Sequence, residues 1–480
     1  MFDYRKFAIS KLSTIGPRYL PFADVASEDV PLSRLLRLSL FQVTVGMALV
    51  LLVGTLNRVM IVELSVPASL VAIMISLPLL FAPLRAFIGY KSDTHVSALG
   101  WRRVPYIWKG TMLQFGGFAI MPFALLVLSG YGEAVDAPRW IGLSSAALAF
   151  LLVGAGVHMV QTVGLALATD LVPEEDQPKV VGLMYVMLLV GMIVSAFVFG
   201  YLLETYTPGR LIQVIQGAAV LTIALNLVAL WKQESRDRAR ALARAPQPDF
   251  FVAWRQLMDT QGAMRLLVVI ALGTFGFGMA DVLLEPYGGQ VLSLSVAQTT
   301  KLTAVLAAGG LLGFALASRV LGRGSNPLWV TWSGAFIGVP AFGAIILAAQ
   351  GPSTALFIAA TLATGFGAGL FSHGTLTATM RRAPKHQVGL ALGAWGAVQA
   401  TAAGIGVALG GVIRDVVIGI DGAQAANPAS GYIPVFALEM IFLIFALIAL
   451  YPLLKRSNVP NPRETYSAQQ RPIRGEATQT

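Results

Sequence analysis

Cysteine is absent from the 480-residue chain, which excludes disulfides, thiolate nucleophiles and thiolate-bound metals. Histidine is nearly as scarce, and His95, His158, His373 and His386 hold all the imidazole chemistry available. Charge is the third deficit. Charged side chains are 12% of the sequence against 56% hydrophobic, with a mean hydropathy of +0.71, whereas soluble domains carry roughly 25% charge. That balance excludes a soluble globular protein and implies a polytopic membrane protein. Also missing are a nucleophile elbow, a phosphate loop and any metal-hydrolase spacing, so the chain reads as a non-enzyme. The formal charge of +10 does not imply nucleic acid, because membrane proteins gather Lys and Arg in cytoplasmic loops for topological reasons.

What is present is a series of long apolar segments. Twelve are long enough to cross a bilayer core of about 30 Å, near residues 38–56, 66–88, 104–128, 140–169, 180–203, 211–231, 264–285, 299–320, 328–349, 353–379, 389–413 and 432–454. They divide the chain into a cytoplasmic N-terminal segment (1–37), a six-helix half (38–231), a cytoplasmic connector (232–263), a second six-helix half (264–454) and a cytoplasmic tail (455–480). The predicted fold is an all-α membrane protein of twelve transmembrane helices in two pseudo-symmetric halves. The first 37 residues carry six basic side chains and no uninterrupted apolar core, unlike a cleaved signal peptide. With both termini inside, only Arg58, Arg139, Arg210, Lys301 and Arg414 fall on the outer side. An internal repeat supports the two halves: aligning Pro173 with Pro384 sets Gly154 and Gly156 against Gly365 and Gly367.

The seventh span closes on Asp281-Val-Leu-Leu-Glu285-Pro286-Tyr287-Gly288-Gly289. A spacing of four puts both carboxylates on one helix face, and acids inside an apolar span suggest a functional site. By helix rise they stand about 24 and 30 Å from Arg265, at the outer interface, where Pro286 and the glycines are expected to end the helix in water. They read either as an outer gate or polypeptide contact, or as solvated helix-end carboxylates. Glu439, about 10 Å into the last span, is expected to pair with Arg414 or to mark a docking face for a partner polypeptide. Arg58 and Glu63 read as a surface ion pair of small value.

Between spans two and three, Gly89-Tyr-Lys91-Ser-Asp93 and Gly100-Trp101-Arg102-Arg103 resemble the signature loop of the major facilitator superfamily, with extra residues inside it. In that superfamily the acid caps a helix end and the basic residues pair with neighbouring helices, gating the cytoplasmic side; the resemblance assigns those roles to Asp93, Arg102 and Arg103. Longer strings narrow it further: Thr55-Leu-Asn57-Arg58-Val-Met-Ile-Val-Glu63, Tyr90-Lys-Ser-Asp-Thr-His95, Trp101-Arg-Arg-Val-Pro105-Tyr106-Ile-Trp108-Lys109 and the Asp281 to Gly289 string. Together they resemble the bacteriochlorophyll delivery branch, the PucC and LhaA type light-harvesting assembly factors. The resemblance implies a photosynthetic, multi-pass protein of the bacterial inner or intracytoplasmic membrane, with both termini cytoplasmic. It would act as a chaperone carrying bacteriochlorophyll as cargo to nascent light-harvesting antenna polypeptides, light-harvesting 1 favoured over light-harvesting 2. Bacteriochlorophyll synthase, the membrane insertion machinery and lipids are the further partners it implies. A proton-coupled transporter of a small solute is the rival reading.

A chlorin magnesium takes one axial nitrogen or oxygen ligand, and neutral imidazole is a common donor. His158 and His373 lie within spans four and ten, which the resemblance places on the central cavity, so these two are the candidate axial ligands. The alternative for each is a core histidine bonded to a neighbour such as Gln161 or Gln114. Phe275, Phe277, Phe366, Phe371 and Trp395 are the candidate flat walls for the ring. The glycines around them read equally as seams for close helix packing.

Overall fold

The computed structural model describes residues 30–80, 88, 92, 101–130, 134, 136–173, 176–234, 255, 259, 262–351, 353–382, 388–421 and 427–457. Asp93, His95, His386, most of both terminal segments and most of the connector lie outside them. The described elements are helical: α1 (Leu32–Glu63), α2 (Ala68–Leu80), α3 (Val104–Ser129), α4 (Arg139–Asp170), α5 (Gln177–Leu202), α6 (Pro208–Leu230), α7 (Ala263–Gln290), α8 (Val296–Gly322), α9 (Pro327–Gln350), α10 (Thr354–Arg382), α11 (Val388–Asp421) and α12 (Ile433–Ser457). Eleven of these are long and apolar enough to cross a membrane, and the described part of α2 is shorter. We call the end where α1 begins and α12 ends the near end, and the opposite one the far end.

Glycine sets how closely the helices approach. A Cβ on Gly156 of α4 would meet the Gly110 carbonyl of α3 at 2.5 Å, and one on Gly367 of α10 would meet the Gly334 carbonyl of α9 at 2.8 Å. These are the glycines that the sequence repeat aligns, so the repeat builds the same backbone seam in each half. Lipid offers no hydrophobic drive for helices to associate, and such contacts supply dispersion instead. The halves meet through α2 against α11 and α5 against α8. Polar links join them at the far end: Thr55 and Thr300 hydroxyls lie 3.1 Å apart, Ser69 N–H donates to Asp415 at 2.7 Å, and Lys301 pairs with Glu204 at 3.0 Å.

Two helices depart from regular geometry where they face each other. α1 widens into π turns at Val50–Leu56 and Val59–Glu63, and α7 passes from α-helix (Ala263–Gly278) through a 3-10 turn (Ala280–Val282) into a second α segment (Leu284–Gln290). Such irregular turns concentrate at functional sites. Within a membrane they persist only where protein or a cavity satisfies the freed backbone.

Candidate functional site

Pro286 explains half of the α7 break. It has no N–H, so the carbonyl of Val282 four residues earlier loses its helical partner. Asn57 of α1 replaces it, its Nδ2 donating to Val282 O at 2.7 Å. The freed donor is met from the other side: Ala280 N–H donates to Glu439 Oε1 of α12 at 2.6 Å. The expectation that Pro286 and its glycines end the helix in water is therefore corrected. Pro286 stands in the first turn of a new segment, where a missing N–H costs nothing, and Glu285, Tyr287 and Gly288 are buried. The Tyr287 hydroxyl donates to Ile345 O at 2.8 Å, and its ring packs on Phe357, Tyr432 and Phe436.

Beside the break is a cavity of about 150 Å³ between the halves. Its walls come from α1 (Leu49, Val53, Gly54), α5 (Met192), α7 (Asp281, Leu284, Glu285), α8 (Leu302, Thr303, Leu306) and α10 (Thr361). Glu285 is 3% exposed; its Oε1 accepts a hydrogen bond from the Thr303 hydroxyl, and its Oε2 is buried with no partner. Asp281 is exposed, but into this cavity. The two acids thus stand near the far end, as the residue count implies, Glu285 buried in protein and Asp281 exposed at the cavity.

Glu439 is corrected as well. It is fully buried and holds the α7 backbone, while Arg414 bonds to Asp415 at 2.6 Å and to Gln290 at 2.8 Å. Neither the expected Arg414 pairing nor an exposed docking face fits this burial. Arg58, expected at the surface, is 3% exposed; it pairs with Glu63 and donates to Leu294 O at 3.1 Å, linking α1 to the turn after α7. In the loop beyond α5, burial pushes the Tyr206 hydroxyl up to about 12, with Glu63 adding to the effect and Arg58 opposing it.

The candidate pigment residues do not converge on the cavity. His373 is half-buried, its ring 4.1 Å from that of Phe314 on α8 and its Nδ1 buried without a partner. It lies about 18 Å along α10 from Thr361 by helix rise. His158 is half-buried on α4. Gln114, one candidate partner for it, is buried with neither side-chain atom hydrogen-bonded. The aromatic candidates fill helix seams instead of lining the cavity. Phe277 packs on Phe342 and Phe371, Phe371 presses into the space left by Gly273, and Phe275 stacks on Phe442 of α12 at 5.2 Å. Trp395 Nε1 donates to the Thr375 hydroxyl at 3.2 Å, and Phe366 joins a small cluster with Ala317, Leu321 and Leu370.

A family model described as "PUCC protein" matches residues 55–458, most of the chain. The chain belongs to the PUCC protein family. "Protein PucC" of Rhodobacter capsulatus is 66% identical over 458 residues, spanning 94% of this chain and 99% of that one. The "Bacteriochlorophyll synthase 44.5 kDa chain" of the same species is 28% identical over 430 residues, spanning 87% and 94%. Among solved structures, a bacterial homologue of the lysosomal transporter Spinster superposes with a TM-score of 0.65 at 16% identity, covering 89% of this chain and 98% of that one. That likeness shows the fold, the twelve-helix major facilitator architecture of a multi-pass membrane protein.

In this PUCC family member the loop arginines bind within the first half. Arg102 and Arg103 both donate to Asp170 at the end of α4, at 2.9 and 3.0 Å, and Arg103 also donates to Ser92 at 2.9 Å. Glu234, just beyond α6, accepts the backbone N–H groups of Arg102, Arg103 and Val104 and caps α3. Glu234 was not foreseen; it is one of four acids in a connector of mixed charge, with Asp237, Asp249 and Asp259, and nothing in the sequence singles it out. Asn57 and Thr303 were missed too, since neutral polar residues in a span carry no signal until their partners are known.

Proposed function

We propose that this protein helps assemble photosynthetic light-harvesting complexes by binding bacteriochlorophyll and delivering it to nascent antenna polypeptides, light-harvesting 1 ahead of light-harvesting 2. It works as a carrier or chaperone, in the bacterial inner or intracytoplasmic membrane, with both termini cytoplasmic. The observation that carries the reading is a family match running through nearly every span. A relative whose name includes bacteriochlorophyll synthase adds a link to the pigment and to the synthase as a partner. The far-end cavity, at about 150 Å³, is smaller than the roughly 300–1,000 Å³ that drug-sized ligands occupy, so the proposed place of the chlorin ring is at the histidines instead. His373, with an orphaned ring nitrogen beside Phe314, is the first candidate axial ligand and His158 the second. Purified His158→Leu/His373→Leu protein should carry several-fold less bacteriochlorophyll than the parent, measured by solvent extraction; equal pigment removes both ligands from the proposal. Absorption spectra of membranes lacking the protein then separate the antennae. Loss of the light-harvesting 2 band with light-harvesting 1 intact would reverse the assigned order.

A further inference from the structure

The pigment reading leaves the cavity between α1 and α7 without a use, and its chemistry is specific. Of the eleven residues lining it, Leu49, Val53, Gly54, Met192, Leu284, Leu302 and Leu306 are apolar. Oxygen donors come only from Asp281, Glu285, Thr303 and Thr361. Glu285 is almost wholly buried, and its Oε2 has no partner. An acid oxygen left unpaired in an apolar setting either keeps its proton or needs a cation beside it to ionise. Among the described residues no cation is bonded to it: Arg58, the near one, bonds to Glu63 and the Leu294 carbonyl, and Lys301 to Glu204. Asp281 has no ion-pair partner among the described residues.

We propose that this cavity is a binding site for a small amphipathic ammonium ion, its charged head between Asp281 and Glu285 and its short aliphatic body against the leucines. Size fixes the scale of the guest, because protein cavities of this order take benzene-sized molecules. A hard divalent ion is a poorer fit. Such ions want six or more oxygens or a shell of water, and no group of three acidic or histidine side chains with metal-holding geometry exists among the described residues. An ammonium head instead needs a few acceptors, and the Thr303 and Thr361 hydroxyls complete the set. The irregular backbone of α1 and α7 around the cavity is the arrangement that discontinuous membrane helices use to present groups to a ligand. Because α1 lies in one half and α7 and α8 in the other, the bound ion ties the halves together and favours the closed far end.

The test uses the purified full-length chain in detergent, free of pigment, titrated calorimetrically with n-butylammonium chloride. Butan-1-ol serves as the neutral isostere and sodium chloride as the ionic-strength control. Butylammonium should bind saturably, and Asp281→Asn and Glu285→Gln should each weaken it by about tenfold or more, that is by about 1.4 kcal/mol. Equal binding of butan-1-ol, an equal response to sodium chloride, or parental affinity in both variants overturns the proposal. Should the variants fold poorly, the parent protein answers alone. Butylammonium should slow modification of Glu285 by a hydrophobic carbodiimide, read from the peptide mass, and absence of protection overturns the site. Pigment delivery rests on the histidine experiment, so it survives a failure here.

Discussion

At the scale of single residues, Glu439 shows how a buried acid can serve the backbone. Its Oε1 takes the Ala280 N–H that the α7 break releases, so its removal should be felt as an orphaned donor. Glu439→Leu should cost about 1–3 kcal/mol, seen as a lower melting temperature in detergent, while Glu439→Gln keeps an acceptor in place and should lose clearly less. Equal losses in the two variants would show that volume matters here and the hydrogen bond does not. The sequence pointed to Glu439, Asp281 and Glu285 as the unusual acids, and the structure makes each of them part of the α7 break or the cavity beside it. What the sequence could not supply was their surroundings. A residue count gives height along a helix but not the neighbour that covers it, so a gate or contact and a solvated helix end stay equally open for the acids near the far end. Asn57 was invisible for the same reason, since its role exists only opposite Val282.

At the scale of elements, hydropathy located the helices because a span must be apolar for about 20 residues whatever it packs against. It could not reveal that α7 restarts at Leu284, because Pro286 ends a helix or begins one depending on whether the carbonyl it frees finds another donor. The glycines were legible in a different way. Gly156 and Gly367 occupy matched seams, so the repeat in sequence was a repeat in packing. The same reasoning places a phenylalanine: Phe371 fills the space of Gly273 in a helix seam. On α10, a Cβ at Gly365 would press on the Leu306 carbonyl of α8, whereas one at Gly393 of α11 would meet nothing. Gly365→Val should therefore destabilise the protein by about 1–3 kcal/mol through overpacking. Gly393→Ala should leave stability unchanged or raise it by up to about 1 kcal/mol through helix propensity. Melting temperatures of the two purified variants check the contrast, and a neutral Gly365→Val would dissolve the α8–α10 seam as described.

At the scale of the whole molecule, the question is whether the proposed delivery requires the two halves to move. The far end is held by contacts from one half to the other, among them Thr55 with Thr300 and Ser69 with Asp415, and the cavity beneath them is too small for a chlorin. A carrier that passed its cargo between the halves would have to break these links in every cycle. A chaperone that presents pigment from a lipid-facing surface would not. The absence of cysteine makes the test clean, because Thr55→Cys with Thr300→Cys puts the only two thiols where the hydroxyl oxygens lie 3.1 Å apart. Oxidation should join them with little backbone movement. Cells producing the crosslinked protein should still build light-harvesting complexes, measured by the antenna absorption bands of their membranes. The reduced double variant and each single variant serve as controls. If antenna assembly fails only when the bridge is closed, delivery runs through the space between the halves, and pigment must then meet Asp281 and Glu285 on its way.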